Sequence, residues 1–195
     1  VSLHAIVIVI TKFYSTEDVG FYGLTFMVLS APLVLIGTSY KDVFYEKIVS
    51  LLRKGNGEQA FTFFKKSAMA LLLAGIPIGL ILFFFGEPLF GFVFGSEWKR
   101  SGEFAAILSI AFVARLVISP LSAVFNATNT LRIASKWQVL YFVTTFITLL
   151  YCAMVLKLAI EKLLLVYVVH EMLLYGVFFI VQAKTIKTYS NSKNE

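Results

Sequence analysis

The chain has 195 residues, of which 59% are hydrophobic and 14% are charged. Because soluble domains average about 25% charged residues, this composition excludes a soluble enzyme or binding domain and predicts an integral membrane protein. The net charge of +6 is interpreted as the basic bias of cytoplasmic loops. It is not interpreted as a nucleic-acid footprint, so no nucleic acid is expected as a partner.

The hydrophobic pattern predicts an all-α protein, with a six-helix transmembrane bundle over residues 1–183 and a polar cytoplasmic tail at 184–195. The predicted spans lie at about 1–13, 19–45, 67–85, 102–126, 138–156 and 163–183. The first is too short to cross a bilayer alone, so we expect a truncated helix and a chain that is a fragment of a longer protein. The tail is expected to be disordered because it is polar.

Proline and glycine mark the course of the second helix. We expect a kink at Pro32 and a helix that continues past its apolar stretch to a stop at Gly55-Asn56-Gly57. The segment 58–66, EQAFTFFKK, follows this stop. We interpret it as an amphipathic stretch at the level of the lipid headgroups.

One arginine, Arg115, lies near the middle of the fourth predicted span. Arg115, Ser119, Ser122 and Asn126 follow at helical spacing, which predicts a single polar face. Since an arginine at the centre of a membrane helix costs at least about 2.5 kcal/mol, this face should line protein or water. A guanidinium group stays charged and binds phosphate oxygens in pairs, so Arg115, with Ser119 and Ser122 beside it, is the candidate substrate-binding group. The alternative is an ion pair that locks two helices together.

Three further ionisable residues of the predicted spans are candidates for a function. Lys41 is a second candidate cavity residue, although snorkelling of its side chain to the headgroups explains it almost as well. Glu171 and His170 are adjacent in the last helix and are candidates for coupling proton or ion movement to transport. The alternative for this pair is a buried polar contact, with Arg115 as the partner of Glu171.

Other kinds of site have little support in the sequence. The single cysteine, Cys152, cannot form an internal disulfide, and the two histidines, His4 and His170, lie far apart. No phosphate-binding glycine loop with a lysine occurs, and neither does a nucleophile elbow. We therefore expect no metal, no cofactor and no enzymatic activity.

Basic residues favour one orientation in the membrane. If the loops alternate between the two sides, ten Lys and Arg residues fall on the side of the C-terminus and five on the other. By the positive-inside rule this predicts a cytoplasmic C-terminus.

Two segments resemble bacterial polysaccharide flippases. Residues 18–47, DVGFYGLTFMVLSAPLVLIGTSYKDVFYEK, share with them a Val-Gly pair after two acids, a Tyr-x-Leu element, a serine–proline kink, an Ile-Gly pair and an aromatic-rich helix end. Residues 92–109, FVFGSEWKRSGEFAAILS, are similar to the Phe-Gly-x-x-Trp segment that opens a later helix. These flippases belong to the multidrug/oligosaccharidyl-lipid/polysaccharide transporter superfamily. The resemblance covers most of residues 17–130.

The resemblance implies twelve helices in two bundles arranged as an inverted V around a central cavity, with this chain as the C-terminal bundle. It implies flipping of a polyprenyl-pyrophosphate-linked oligosaccharide, such as an O-antigen unit, across the plasma membrane by alternating access. In that family a basic cavity residue is thought to meet the pyrophosphate or acidic sugars, and Arg115 takes this role here, with Lys41 second. The implied partners are this substrate, membrane lipids, the N-terminal half of the same protein and a polysaccharide polymerase or ligase.

Two alternatives stay open. The first is a cation-coupled drug or solute exporter of the same superfamily, for which only Asp42 and Glu171 are candidate cation ligands. Arg115 in its cavity would repel cationic drugs. The second is a membrane scaffold of a polysaccharide assembly complex, which transports nothing.

Overall fold

The computed structural model of the chain describes residues 3–191 and contains no strand in that range. This confirms the predicted all-α class. The helices are α1 (Leu3–Phe13), α2 (Thr16–Arg53), α3 (Gly57–Phe94), α4 (Lys99–Leu121), α5 (Val124–Ala127), α6 (Leu131–Leu150) and α7 (Ile160–Asn191). A 3-10 turn, Ser96–Trp98, precedes α4, and a π-helical segment, Tyr151–Val155, extends α6.

Five helical segments are long and apolar enough to cross a membrane. They are Thr16–Arg53, Gly57–Phe94, Ser96–Ala127, Leu131–Val155 and Ile160–Ser190. Many large side chains on their outer faces are apolar and exposed, such as Phe92 at 90% and Leu35 at 71%. Hydrocarbon is the solvent that suits such a surface. The protein is therefore a multi-pass membrane protein.

Helices α2 and α3 form a hairpin that is longer than a bilayer is thick. Each has 38 residues, which corresponds to about 57 Å at 1.5 Å per residue, against about 30 Å of hydrocarbon. α2 ends at Arg53, and Gly55 has a positive φ of 74°. The predicted continuation of this helix to a glycine stop is confirmed. Residues 58–66 begin the continuous helix α3, in which Ala60 and Phe64 are buried while Lys65 and Lys66 are exposed; their place at the lipid headgroups stays a prediction.

The end of α7 differs from the sequence-based prediction of a disordered tail. The helix continues through Asn191, and Ile186 is completely buried. Ile186 packs in one hydrophobic cluster with Phe44 of α2 and Phe64 of α3. Burial of this face stabilises the helical turns that the polar composition of the segment does not predict. Residues 192–195 of the predicted tail lie outside the described range.

Helix α4 lies at the centre of the bundle and packs against α2, α3 and α7. Its closest approach to α3 is at Gly86 and Gly102. A methyl group added at Gly86 would lie 2.5 Å from the carbonyl oxygen of Gly102. The two backbones therefore touch at a point where only glycine leaves enough room.

The fourth predicted span, 102–126, is not one continuous helix. α4 ends at Leu121, and the amides of Ser122 and Ala123 donate to carbonyls only three residues back, at Ser119 and Pro120. The side-chain amide of Gln182 in α7 donates to the Ile118 carbonyl at 3.1 Å. The chain breaks about two turns after the arginine. Pro120 has no N–H to donate, and the Ile118 carbonyl, whose usual helical donor Ser122 bonds to Ser119 instead, accepts from α7.

Candidate functional site

A divided cavity lies between α2, α4, α6 and α7. Its first part, the α2 chamber, has a volume of about 320 Å³ and is lined by α2, α4 and α7. Its second part, the α6 chamber, has a volume of about 340 Å³ and is lined by α4, α5, α6 and α7. Arg115, Ser119 and Tyr175 line both chambers and form the junction between them.

Arg115 has no ion-pair partner and no hydrogen bond among residues 3–191. Its side chain is partly exposed toward the cavity. It interacts electrostatically with Glu171 of α7 across the α2 chamber, but the two do not form an ion pair. The expected alternative, an ion pair that locks two helices, is therefore not found in the described part of the chain. The positive charge of Arg115 is available to a ligand.

The other candidate substrate-binding residues lie around the same cavity. Lys41 and Ser119 line the α2 chamber, and Ser122 lines the α6 chamber. Gly37, one turn earlier in α2, lines the same chamber and lies near Pro120 of α4, where a methyl group added to the glycine would lie 3.8 Å from the proline ring. The structure thus brings together Arg115, Lys41, Ser119 and Ser122. Their role in binding a substrate stays a prediction.

The neighbouring residues Glu171 and His170 lie in different environments. Glu171 is 1% exposed and lines the α2 chamber, and the hydroxyl of Tyr141 on α6 donates to its carboxylate. His170 is half-buried and lines neither chamber, and its Nδ1 has no hydrogen-bond partner in the described part of the chain. Neighbours in a helix of 3.6 residues per turn point about 100° apart, and here that difference turns His170 away from both chambers.

Several cavity residues were missed by the sequence analysis. Tyr22 lines the α2 chamber, while Trp137 and Phe178 line the α6 chamber. A signal for Tyr22 exists, because it begins a stripe at spacings of three or four residues that ends at Lys41. No such signal marks Trp137 and Phe178, since their proximity depends on how α6 and α7 pack.

Three helix ends meet on the side of the bundle remote from the α2–α3 hairpin tip. Arg100, at the start of α4, pairs with Asp18 of α2 at 3.1 Å and with Glu161 of α7 at 2.9 Å. Nearby, the hydroxyl of Tyr14 donates to the Leu158 carbonyl at 2.8 Å. Burial raises the pKa of Tyr14, and Cys152, Asp18 and Glu161 add to the effect, so this hydroxyl stays protonated.

No group of three or more His, Cys, Asp or Glu residues within 3–191 is arranged to hold a metal ion. What the cavity offers is charge and hydrogen bonding. A guanidinium group, an ammonium group and hydroxyls surround a space that lies among membrane-spanning helices. Such a site can bind an anionic or polar group that hydrocarbon does not solvate.

Comparison with known proteins gives one match. A family model described as polysaccharide biosynthesis protein matches residues 2–103, which is more than half of the chain. No curated protein and no solved structure gives a significant match. The matched range includes α1, α2, α3 and the start of α4, and it ends before Arg115. The chain, with its five membrane-spanning segments, thus belongs to the polysaccharide biosynthesis protein family.

Proposed function

We propose that this protein flips a polyprenyl-pyrophosphate-linked oligosaccharide, such as an O-antigen unit, from the cytoplasmic to the outer leaflet of the inner membrane. It acts as a transporter by alternating access and not as an enzyme. The observation that carries this proposal is the guanidinium of Arg115, which forms no ion pair within residues 3–191 and lies at the junction of the two chambers. A pyrophosphate is the anionic group that a lipid-linked sugar brings to membrane depth, and arginine binds its oxygens in pairs.

Several partners follow from this proposal. The polyprenyl tail stays in lipid while the cavity takes the pyrophosphate and the sugars. The N-terminal half of the same protein supplies the opposite wall of the cavity. A polysaccharide polymerase or ligase receives the flipped product. The C-terminus and the α2–α3 tip lie in the cytoplasm, where the majority of basic residues belong.

A cation-coupled drug exporter has less support from the cavity. Arg115 and Lys41 line the α2 chamber, and the one carboxylate there, Glu171, is buried and hydrogen-bonded to Tyr141. The charge accessible to a ligand is therefore positive, which repels a cationic drug. A scaffold without transport has no use for an unpaired charge in a cavity.

The test uses the full-length protein in a bacterium that lacks its own polysaccharide flippase and carries the matching polysaccharide genes. We expect the wild type to restore surface polysaccharide and Arg115→Ala to lower it by at least about tenfold, because charge-assisted hydrogen bonds to the pyrophosphate are lost. Arg115→Lys keeps the charge but loses the paired geometry, so an intermediate level is expected.

Arg53→Ala is the matched control, because it removes an exposed guanidinium at the end of α2, outside both chambers. It should export like the wild type, and membrane levels of all variants should be equal. Export by Arg115→Ala at the wild-type level would disprove the anion site. Failure of the wild type itself in this strain would disprove flipping and favour the scaffold.

A further inference from the structure

The two chambers on either side of Arg115 differ in chemistry. The α2 chamber is lined mainly by apolar and aromatic side chains, among them Phe26, Leu29 and Leu33. The α6 chamber adds two side-chain amides, Asn126 and Gln138, to hydroxyl groups and aromatic rings. Lys41 and Glu171 also line the α2 chamber, so a molecule that lies across the junction meets a chamber with a large apolar wall on one side and a chamber with two side-chain amides on the other.

The aromatic wall of the α6 chamber is a stack of three rings. Phe178 of α7 lies between Phe125 and Trp137, with ring centroids 5.4 Å and 4.8 Å away and interplanar angles of 20° and 7°. All three residues line the chamber. Because Phe178 is covered by a ring on each face and Phe125 is 1% exposed, the ring that this stack leaves open to a ligand is that of Trp137, held in place by its contact with Phe178. The C–H-rich face of a pyranose ring packs on such a surface.

The amides of the α6 chamber are available to a ligand. Asn126 and Gln138 are exposed, and neither side chain makes a hydrogen bond to another residue of the described range. Each amide offers two donors and an acceptor, which matches the mixed donor and acceptor character of sugar hydroxyls. Aromatic surface combined with unpaired amides favours a carbohydrate over an inorganic anion or an aliphatic chain.

We propose that the α6 chamber binds the first sugar of the lipid-linked substrate, an inference that rests on the proposed function. In such a substrate the anomeric carbon of the first sugar is bonded to the pyrophosphate. When Arg115 holds the pyrophosphate, that sugar lies in the adjoining chamber, against Trp137 and within reach of Gln138. The first isoprene units leave on the opposite side, along the apolar wall that Phe26, Leu29 and Leu33 form in the α2 chamber. Trp137, Asn126 and Gln138 are therefore residues that determine which sugars are accepted.

The test measures binding to the full-length protein in lipid nanodiscs. The chain has two tryptophans, and Trp98 contacts Phe21 far from the chambers, so Trp98→Phe leaves Trp137 as the fluorescent reporter of this chain. The probes are undecaprenyl pyrophosphate and the same lipid bearing one N-acetylglucosamine. We expect tighter binding of the glycosylated probe, by about tenfold, since new hydrogen bonds and ring contacts form.

The double variant Asn126→Ala/Gln138→Ala should remove this preference and leave binding of the unglycosylated probe unchanged. Gln59→Ala, an exposed amide at the start of α3 and outside both chambers, is the matched control and should keep the preference. Arg115→Ala should weaken binding of both probes. If the double variant weakens binding of both probes equally, the sugar subsite is disproved. It is also disproved if the double variant changes the binding of neither probe. If Arg115→Ala changes neither probe, the proposed pyrophosphate site fails, whatever the amides do.

Discussion

Tyrosine side chains control the environment of the buried carboxylate. Tyr141 reaches from α6 to Glu171 on α7, and its ring stacks with that of Tyr175 at a centroid distance of 6.2 Å. Tyr22 and Tyr167 line the same chamber. A carboxylate in the interior is costly unless its oxygens accept hydrogen bonds, and Tyr141 supplies that bond here.

Tyr141→Phe is expected to destabilise the bundle by about 1–3 kcal/mol, because it removes one hydrogen bond to a buried carboxylate and leaves Tyr175 as its remaining tyrosine neighbour. Thermal unfolding in detergent measures the effect. Tyr151→Phe is the control, since Tyr151 is 55% exposed. Equal stability of Tyr141→Phe and Tyr151→Phe would contradict the importance of this hydrogen bond.

Glu171, and not His170, is the residue we expect to carry a coupling proton. Glu171 lines the chamber near Arg115, whereas His170 lies outside it. Glu171→Gln keeps a hydrogen-bonding group but cannot release a proton, so flipping should lose its dependence on an imposed pH gradient. His170→Gln should retain that dependence. Transport in proteoliposomes measures both variants. If only His170→Gln loses the dependence on the pH gradient, His170 and not Glu171 carries the proton.

Sequence periodicity predicted that Arg115 and Ser119 share a face of α4, because that face depends on one helix alone; Ser122 lies one residue past the end of α4. Arg115, Ser119 and Ser122 do line one cavity. The partner of Glu171 was not predictable in the same way. The sequence analysis named Arg115 as a possible partner. In the structure the hydroxyl of Tyr141 donates to the carboxylate, a contact that depends on how α6 and α7 pack.

At the scale of helices, the contact between α3 and α4 depends on Gly86 and Gly102. Gly102→Ala would push a methyl group into the backbone of α3 at Gly86 and Glu87. We expect a loss of at least about 1–3 kcal/mol, since overpacking against backbone is not relieved by a rotamer change. Gly23→Ala in α2 is the control, because nothing lies within 4 Å of its added methyl group. Equal unfolding temperatures of Gly102→Ala and Gly23→Ala would contradict the close approach of the α3 and α4 backbones.

Arg100 ties three helix ends together, but its side chain is 44% exposed. Exposed ion pairs contribute about 1 kcal/mol or less each. Arg100→Ala should therefore lower stability modestly at low salt and hardly at all at high salt, because salt screens exposed charges. Lys99→Ala, which removes one 3.8 Å pair with Glu87, should have a smaller effect. A loss that does not depend on salt would mean that Arg100 acts through packing on Phe104.

Helix boundaries were predicted where a local signal exists. The glycine stop after α2 is such a signal, since Gly55 adopts a positive φ. The polar composition of residues 184–191 predicted disorder. The segment is helical instead, because Ile186 packs in the hydrophobic cluster with Phe44 and Phe64. The break after Leu121 needs both Pro120 and a donor from α7, and only the proline is visible in the sequence.

For the whole molecule, the orientation of the bundle is testable with single cysteines. Cys152 is buried and free, so Cys152→Ala gives a background without cysteine in this chain. Asn56→Cys marks the α2–α3 tip, and Ser96→Cys marks the opposite side, before α4. An impermeant maleimide should label Ser96→Cys in right-side-out vesicles, and Asn56→Cys only after permeabilisation. The opposite labelling pattern would reverse the proposed topology.

The length of the α2–α3 hairpin also bears on imaging by electron microscopy. Small helical bundles give little signal outside a detergent micelle, which makes their particles hard to align. Here residues 41–66 carry the charged end of the hairpin beyond the apolar stretches, and Phe44, Phe64 and Ile186 pack it against α7. The hairpin end is thus a rigid feature that aids particle alignment. A fusion domain inserted in the turn at 54–56 would be held by two helices.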